Sequence, residues 1–285
     1  MLNIPKIKLS DGHSIPQFGL GVYRMKPGEE TKNACLKAFE IGYRHIDTAH
    51  IYLNERDVGK AMKESGIKRN EFFLTSKLWM SDYGEKRSEE AINKMLERLD
   101  TSYLDLLLLH QPLKDYCGAW KAMEKAVKAG KIRSIGVSNF TPKSLDRIME
   151  IQTIKPVVNQ IQCHPYHQQV ELREYLKKIG VRVESWFPIG GGDKKLINEP
   201  IFSKIGAKYH KTNAQIILRW HIQEGFIVFP KAINAKHQKE NIDIFDFQLT
   251  EEEMKEIRKI DKKKKYFPIV DYIPWIFSLF PSPSD

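Results

Sequence analysis

At 285 residues, with 41% apolar and 29% charged side chains, the chain is too apolar for disorder and long enough for one α/β barrel or two ordinary domains. No run approaches the roughly 20 apolar residues of a membrane-spanning helix, and the start, MLNIPKIKLSDG, lacks a signal peptide's apolar core. The formal charge of +10 is spread over the chain apart from Lys262 to Lys265 and comes without a recognition motif, so a solvated basic face is expected, with no nucleic-acid and no membrane partner.

Three widely spaced cysteines, Cys35, Cys117 and Cys163, form no CxxC and suit a reducing compartment. The expected location is the cytoplasm. Residues Lys6 to Gln17 alternate around Ser10-Asp11-Gly12-His13 and predict a hairpin, a lid over residues 1–17 at one end of the fold. From Phe18 onward, strand-like runs alternate with amphipathic helical stretches at a spacing of roughly 25 to 35 residues, the pattern of repeated βα units. The predicted strands are Phe18 to Val22, Tyr43 to Asp47, Phe72 to Lys77, Leu104 to His110, Ile132 to Ser138, Val157 to Gln162, Arg182 to Phe187 and Phe226 to Phe229. Thr141-Pro142 should open one helix and Lys128-Ala129-Gly130 close another. A doubly wound sheet would want GxGxxG after the first strand, and none is there. The expectation is therefore a single (β/α)8 TIM barrel over residues 1–285, with an N-terminal hairpin and a C-terminal tail, 262–285, over the barrel.

Three consecutive predicted strands end in ionisable side chains: Asp47, Lys77 and His110. Alone, the aspartate could cap a helix, the lysine could reach the surface along its stem and the histidine could be a satisfied core residue. Together they call for mutual neutralisation, because burying each separately is costly. In a closed barrel these strand ends meet at the face where active sites lie, and Tyr52 sits a short loop beyond Asp47. A phenol beside an ammonium is a tunable proton donor. Competing chemistries find little support. His164 and His167 in QCHPYHQ lack a third metal ligand, so no metal is expected, and there is neither a GxSxG elbow nor a GKS or GKT loop.

Five segments in order, GYRHIDTAHIYLNERDVG, LDLLLLHQP, GKIRSIGVSNF, VVNQIQCHPYHQQ and FPKAINAKHQKEN, resemble the motifs of the aldo-keto reductases across nearly the whole chain. The nearest type is the one that includes diketogluconate, aldehyde and prostaglandin reductases. The resemblance implies NADPH-dependent reduction of small aldehydes and ketones, in which Tyr52 donates the proton, Lys77 paired with Asp47 lowers the tyrosine pKa, and His110 orients the carbonyl. It also implies that Ser138, Asn139 and Gln160 hold the nicotinamide carboxamide and that Trp186 stacks on the ring. Val22, Tyr23, Phe187, Pro188, Ile189 and Gly191 would line the rest of the cofactor. At the adenosine end the resemblance places Lys231, Ala232 and His237 at the 2′-phosphate and Glu240 and Asn241 at the adenine. Tyr23, Trp79, His110 and Gln111 would form the substrate pocket.

Four positions depart from the family pattern. Phe187 stands where a serine is common, Ala232 where a hydroxyl is usual, His237 where an arginine is usual and Gln111 where a tryptophan is frequent. A weakened 2′-phosphate grip follows, with NADH use possible, and a wider or more polar pocket. The stretch Tyr266 to Asp285 is unusually apolar and can cover the substrate site, dock on the barrel or join subunits. A monomer is expected. One alternative is a non-catalytic, cofactor-binding structural or regulatory protein, as this fold also serves, and another keeps the barrel without the nicotinamide cofactor, as a phosphate-binding isomerase.

Overall fold

The computed structural model describes residues 4–267, so the apolar stretch from 268 onward, with the three alternatives for it, lies outside the described residues. β1 (Lys6–Lys8) and β2 (Ser14–Pro16) pair antiparallel as the expected hairpin. Its turn is closed by Leu9 N–H donating to the His13 carbonyl at 2.9 Å and His13 N–H donating to the Asp11 carboxylate at 3.0 Å. Asp11 also accepts from Ser134 Oγ at 2.6 Å, near the start of a barrel strand, which seats the hairpin against the N-terminal strand ends.

The βα alternation then runs as read. In chain order the strands and helices are β3 (Leu20–Gly21), α1 (Glu29–Ile41), β4 (His45–Asp47), α2 (Glu55–Glu64), β5 (Phe73–Leu78), α3 (Glu85–Arg98), β6 (Leu104–Leu109), α4 (Tyr116–Lys128), β7 (Ile132–Ser138) and α5 (Pro142–Ile151). They continue as β8 (Val158–Gln162), α6 (Val170–Lys178), β9 (Arg182–Trp186), α7 (Lys194–Ile197), α8 (Pro200–Tyr209), α9 (Asn213–Gln223), β10 (Ile227–Val228), α10 (Ala235–Ile242) and α11 (Glu251–Arg258). Strands β3 to β10 pair in chain order, all parallel. A parallel bridge between Phe18 and Val228 closes the sheet into a barrel, with Gly19 N–H donating to the Val228 carbonyl at 2.9 Å. The seam is tight enough that a Cβ on Gly21 would lie 2.6 Å from the Phe229 carbonyl oxygen.

The two seam strands are shorter than predicted for a local reason. The Val22 carbonyl accepts from the Asn54 side chain at 3.0 Å, and Phe226 N–H donates to the His221 carbonyl at the end of α9, so side chain and cap replace ladder partners. The helix signals hold. Thr141 caps α5 with Pro142 as its first residue, and α4 ends at Lys128 with Gly130 at φ 73°. Inside the barrel, Leu106, Leu108, Val158, Ile227 and Phe229 pack with Ile15 of the hairpin, while a larger core lies between strands and helices. Strands covered on both faces read as continuous apolar runs, which is why LDLLLL gave so clear a signal.

Candidate active site

The barrel brings Asp47, Lys77 and His110 to its C-terminal face from β4, β5 and the residue after β6. Lys77, fully buried, does not reach the surface. Its Nζ donates to Asp47 Oδ1 and Oδ2 at 2.7 and 2.8 Å and to the Thr48 carbonyl at 2.8 Å. All three ammonium hydrogens are thereby used. Burial lifts the Asp47 carboxyl while the Lys77 bonds pull it down.

Tyr52 follows on the short 3-10 turn His50–Tyr52, its ring centroid 5.1 Å from Lys77 Nζ, 5.8 Å from the His110 ring and 4.9 Å from the Tyr23 ring. The expected lowering of its pKa does not occur in this arrangement. Burial raises the phenol well above its usual value, and Asp47 and Tyr23 add to that. Burial is the main reason, and the Asp47 carboxylate cancels part of the pull that the Lys77 ammonium exerts on the phenol. Burial, with Lys77 nearby, holds His110 well below the usual imidazole range. It is a neutral ring with its buried Nδ1 unpartnered, packed edge-on to Trp79 at 4.9 Å.

Asp47, Tyr52 and His110 border a cavity of about 470 Å³, with Lys77 buried behind Asp47. Trp79, Tyr23 and Gln111 line it, and Gln111 Oε1 is buried without a partner. Ser138 at the end of β7, Asn139 just after it and Gln160 of β8 also line the cavity, as does Trp186 at the end of β9. Asn139, at φ 62°, is the tie within this group: its Nδ2 donates to the His110 carbonyl at 3.2 Å and to Ser138 Oγ at 3.1 Å, and its Oδ1 accepts from the Trp186 indole at 2.9 Å.

Beyond Trp186 the chain turns through Phe187, Gly190, Gly191 and Gly192, all at positive φ. A Cβ on Gly191, which has φ 64°, would sit 2.2 Å from the Phe187 ring, so any other residue there would displace that ring. Phe187, Pro188, Ile189, Gly191 and Lys231 line the cavity. Val22, Ala232, His237, Glu240 and Asn241 do not. Val22, Ala232 and Asn241 are buried in the framework, and His237 and Glu240 face each other on α10 at 3.7 Å, with Glu240 also accepting from Thr212 Oγ1 at 2.9 Å.

The cavity also has walls that sequence reasoning missed. Arg24 lines it with its guanidinium 5.3 Å from the Tyr23 ring centroid and 5.4 Å from that of Phe267, which packs on Trp186 and Phe187. Phe267 comes from the far end of the described chain and gave no local signal. Glu184 is fully buried beside Gln160, and its place two residues before Trp186 on an inward-facing strand was the available clue. Among the described residues no cluster of metal-ligating side chains occurs, and no helix is long and apolar enough to cross a membrane.

A nicotinamide dinucleotide fits this donor set. A half-buried indole lies beside the polar Ser138, Asn139 and Gln160, glycines at positive φ edge the channel, and neither Arg24 nor Lys231 has an ion-pair partner among the described residues.

The model of the Aldo/keto reductase family matches residues 17–262. Glyoxal reductase of Bacillus subtilis is 44% identical over 266 residues, covering 93% of this chain and 96% of its own, and methylglyoxal reductase DkgA of Escherichia coli is 42% identical over 274 residues, covering 95% and 98%. The crystal structure of a Bombyx mori aldo-keto reductase in complex with NADP superimposes with a TM-score of 0.90 at 33% identity, over 100% of both chains.

Proposed function

The chain belongs to the aldo/keto reductase family and is an NAD(P)H-dependent oxidoreductase that reduces carbonyls; from that premise we propose that Tyr52 is its proton donor and that small aldehydes and ketones, dicarbonyls among them, are its substrates. The observation that carries this reading is the convergence of Tyr52, neutral His110 and the Lys77–Asp47 pair on one cavity beside the Trp186 plate.

When bound, the nicotinamide cofactor supplies the hydride. Ser138, Asn139 and Gln160 would hold its carboxamide and Trp186 would pack on its ring. His110, being neutral, can donate one hydrogen bond to the carbonyl oxygen without carrying a proton that competes with that of Tyr52. Tyr52 stays protonated because burial opposes the phenolate, so the donor is loaded at any working pH. It gives up its proton only to an oxygen that has become strongly basic. Lys77 then offsets the developing phenolate charge, while Asp47 keeps the ammonium in place. The orphan Gln111 Oε1 favours substrates that carry a hydroxyl or a hydrated second carbonyl within reach. Free thiols at Cys35, Cys117 and Cys163 support a cytoplasmic setting, and we take the chain as a monomer.

The test is parallel consumption of NADPH and NADH against methylglyoxal, phenylglyoxal, a diketogluconate and benzaldehyde, with Tyr52→Phe alongside. The variant keeps the ring and should bind cofactor like the wild type, yet lose roughly 10² to 10⁴ in kcat. A variant within about threefold of the wild type would remove Tyr52 from the donor role.

A further inference from the structure

We propose that Glu184 is a positioning residue for the nicotinamide end of the cofactor, acting through Gln160 to fix which way round that amide faces the cavity. The inference rests on the reading of Gln160 given above. Glu184 on β9 lies opposite Gln160 on β8 in the parallel register, with Ile227 of β10 on its other side. Gln160 Nε2 donates to Glu184 Oε2 at 3.1 Å and, across the barrel, to Asp47 Oδ2 at 2.9 Å. Both amide hydrogens are thus taken by carboxyl oxygens. Turning the amide over would set its carbonyl against the Asp47 carboxylate and lose that bond, while Glu184 Oε2 takes the second amide hydrogen in the orientation observed. The orientation is therefore fixed, with the NH2 directed into the barrel and the carbonyl oxygen presented to the cavity that Gln160 lines. A carbonyl there accepts from the NH2 of a nicotinamide carboxamide, and that pairing settles which edge of the ring points inward.

The charge state of Glu184 suits a fixed prop. The titratable groups near it are Asp47 and Lys77, and Lys77 balances only one carboxylate, which is Asp47. Ile227, on the other flank, has no charge to offer. Burial pushes the Glu184 carboxyl up to about 8, with the Asp47 charge adding to it. At neutral pH it is a neutral acid, accepting at Oε2, with Oε1 buried and unpartnered. A glutamine can take its place with the same shape and the same acceptor. A leucine cannot.

The experiment measures dissociation constants of NADPH and of adenosine 2′,5′-bisphosphate, which lacks the nicotinamide, at pH 7 for the wild type, Glu184→Leu, Glu184→Gln and Gln160→Leu. Losing one buried anchor should weaken NADPH binding to Glu184→Leu by about tenfold and leave the bisphosphate unchanged. Glu184→Gln should restore NADPH binding to within about threefold of the wild type. Equal losses for NADPH and the bisphosphate, or no loss for either, would overturn the role of Glu184. Should Gln160→Leu bind NADPH as the wild type does, the reading of Gln160 itself fails. A loss in Gln160→Leu without one in Glu184→Leu sinks the positioning role alone.

Discussion

At the scale of single residues, the arrangement separates two jobs that a motif joins in one string. Lys77 spends its three hydrogens on Asp47 and Thr48, so its effect on Tyr52 is through space, and the pair as a whole sets the potential there. Cofactor choice is also a residue-scale matter. Lys231 lines the cavity without an ion-pair partner, whereas Ala232 is buried and offers no hydroxyl, and His237 faces Glu240. An arginine at 237 would add a permanently charged fork where a 2′-phosphate is expected. His237→Arg should therefore raise the preference for NADPH over NADH by about tenfold or more, since a hydrogen bond to a charged group is worth roughly 1.5 to 3 kcal/mol. Dissociation constants for both cofactors check this, and an unchanged ratio would place the phosphate elsewhere.

At the scale of elements, the segment Lys262 to Phe267 straps the turn that edges the cofactor channel. Lys264 Nζ and Tyr266 Oη both bind Asp193 Oδ2, at 2.8 and 2.5 Å, and the Lys264 contact is the main reason the Asp193 carboxyl lies below the usual carboxylate range. Backbone N–H groups of Lys262 and Lys264 both donate to the Tyr166 carbonyl, and Lys262 reaches Glu199 at 2.7 Å. The turn it holds contains Gly190, Gly191 and Gly192, which have little intrinsic preference for one conformation. Removing the ties in Lys264→Ala/Tyr266→Phe should make cleavage within 189–193 faster and cofactor release quicker, at a cost to global stability of about 1 kcal/mol. Limited proteolysis and stopped-flow release measure both. Cleavage and release at wild-type rates would mean that the turn is held by its own packing.

At the scale of the whole molecule, closing the barrel buries polar groups that must stay neutral. Burial lowers His45 inside the barrel, His164 beside the strap and His221 under Pro188 from 6.5 to about 3 each. The unfolded chain binds these protons first, so stability is full above about pH 6.5 and falls as the pH drops toward 3, by about 1.4 kcal/mol per pH unit for each histidine. At pH 5 that is about 2 kcal/mol per histidine. Urea unfolding at pH 7.5 and pH 5 should show the difference, and equal stabilities would show that other groups compensate. Glu184, raised to about 8, works the other way, because its folded form takes up a proton first and gains stability as the pH falls toward 5.

The sequence by itself determined the order and type of the elements. Strands buried on both faces leave uninterrupted apolar runs such as LDLLLL, and helix ends carry local chemistry such as Thr141-Pro142 and Gly130. It also marked Asp47, Lys77 and His110, because an ionisable side chain at the end of an apolar strand is costly unless it meets a partner. What only the tertiary structure decided depends on contacts between distant parts of the chain. Arg24 packs on the Phe267 ring in the cavity wall, Gln160 reaches from β8 to Asp47 on β4, and Lys264 finds Asp193 on the turn beyond β9. The Tyr52 pKa belongs to the same class: the local pattern shows a nearby ammonium, but its sign follows from burial and from how fully Asp47 neutralises Lys77, which only the folded geometry specifies.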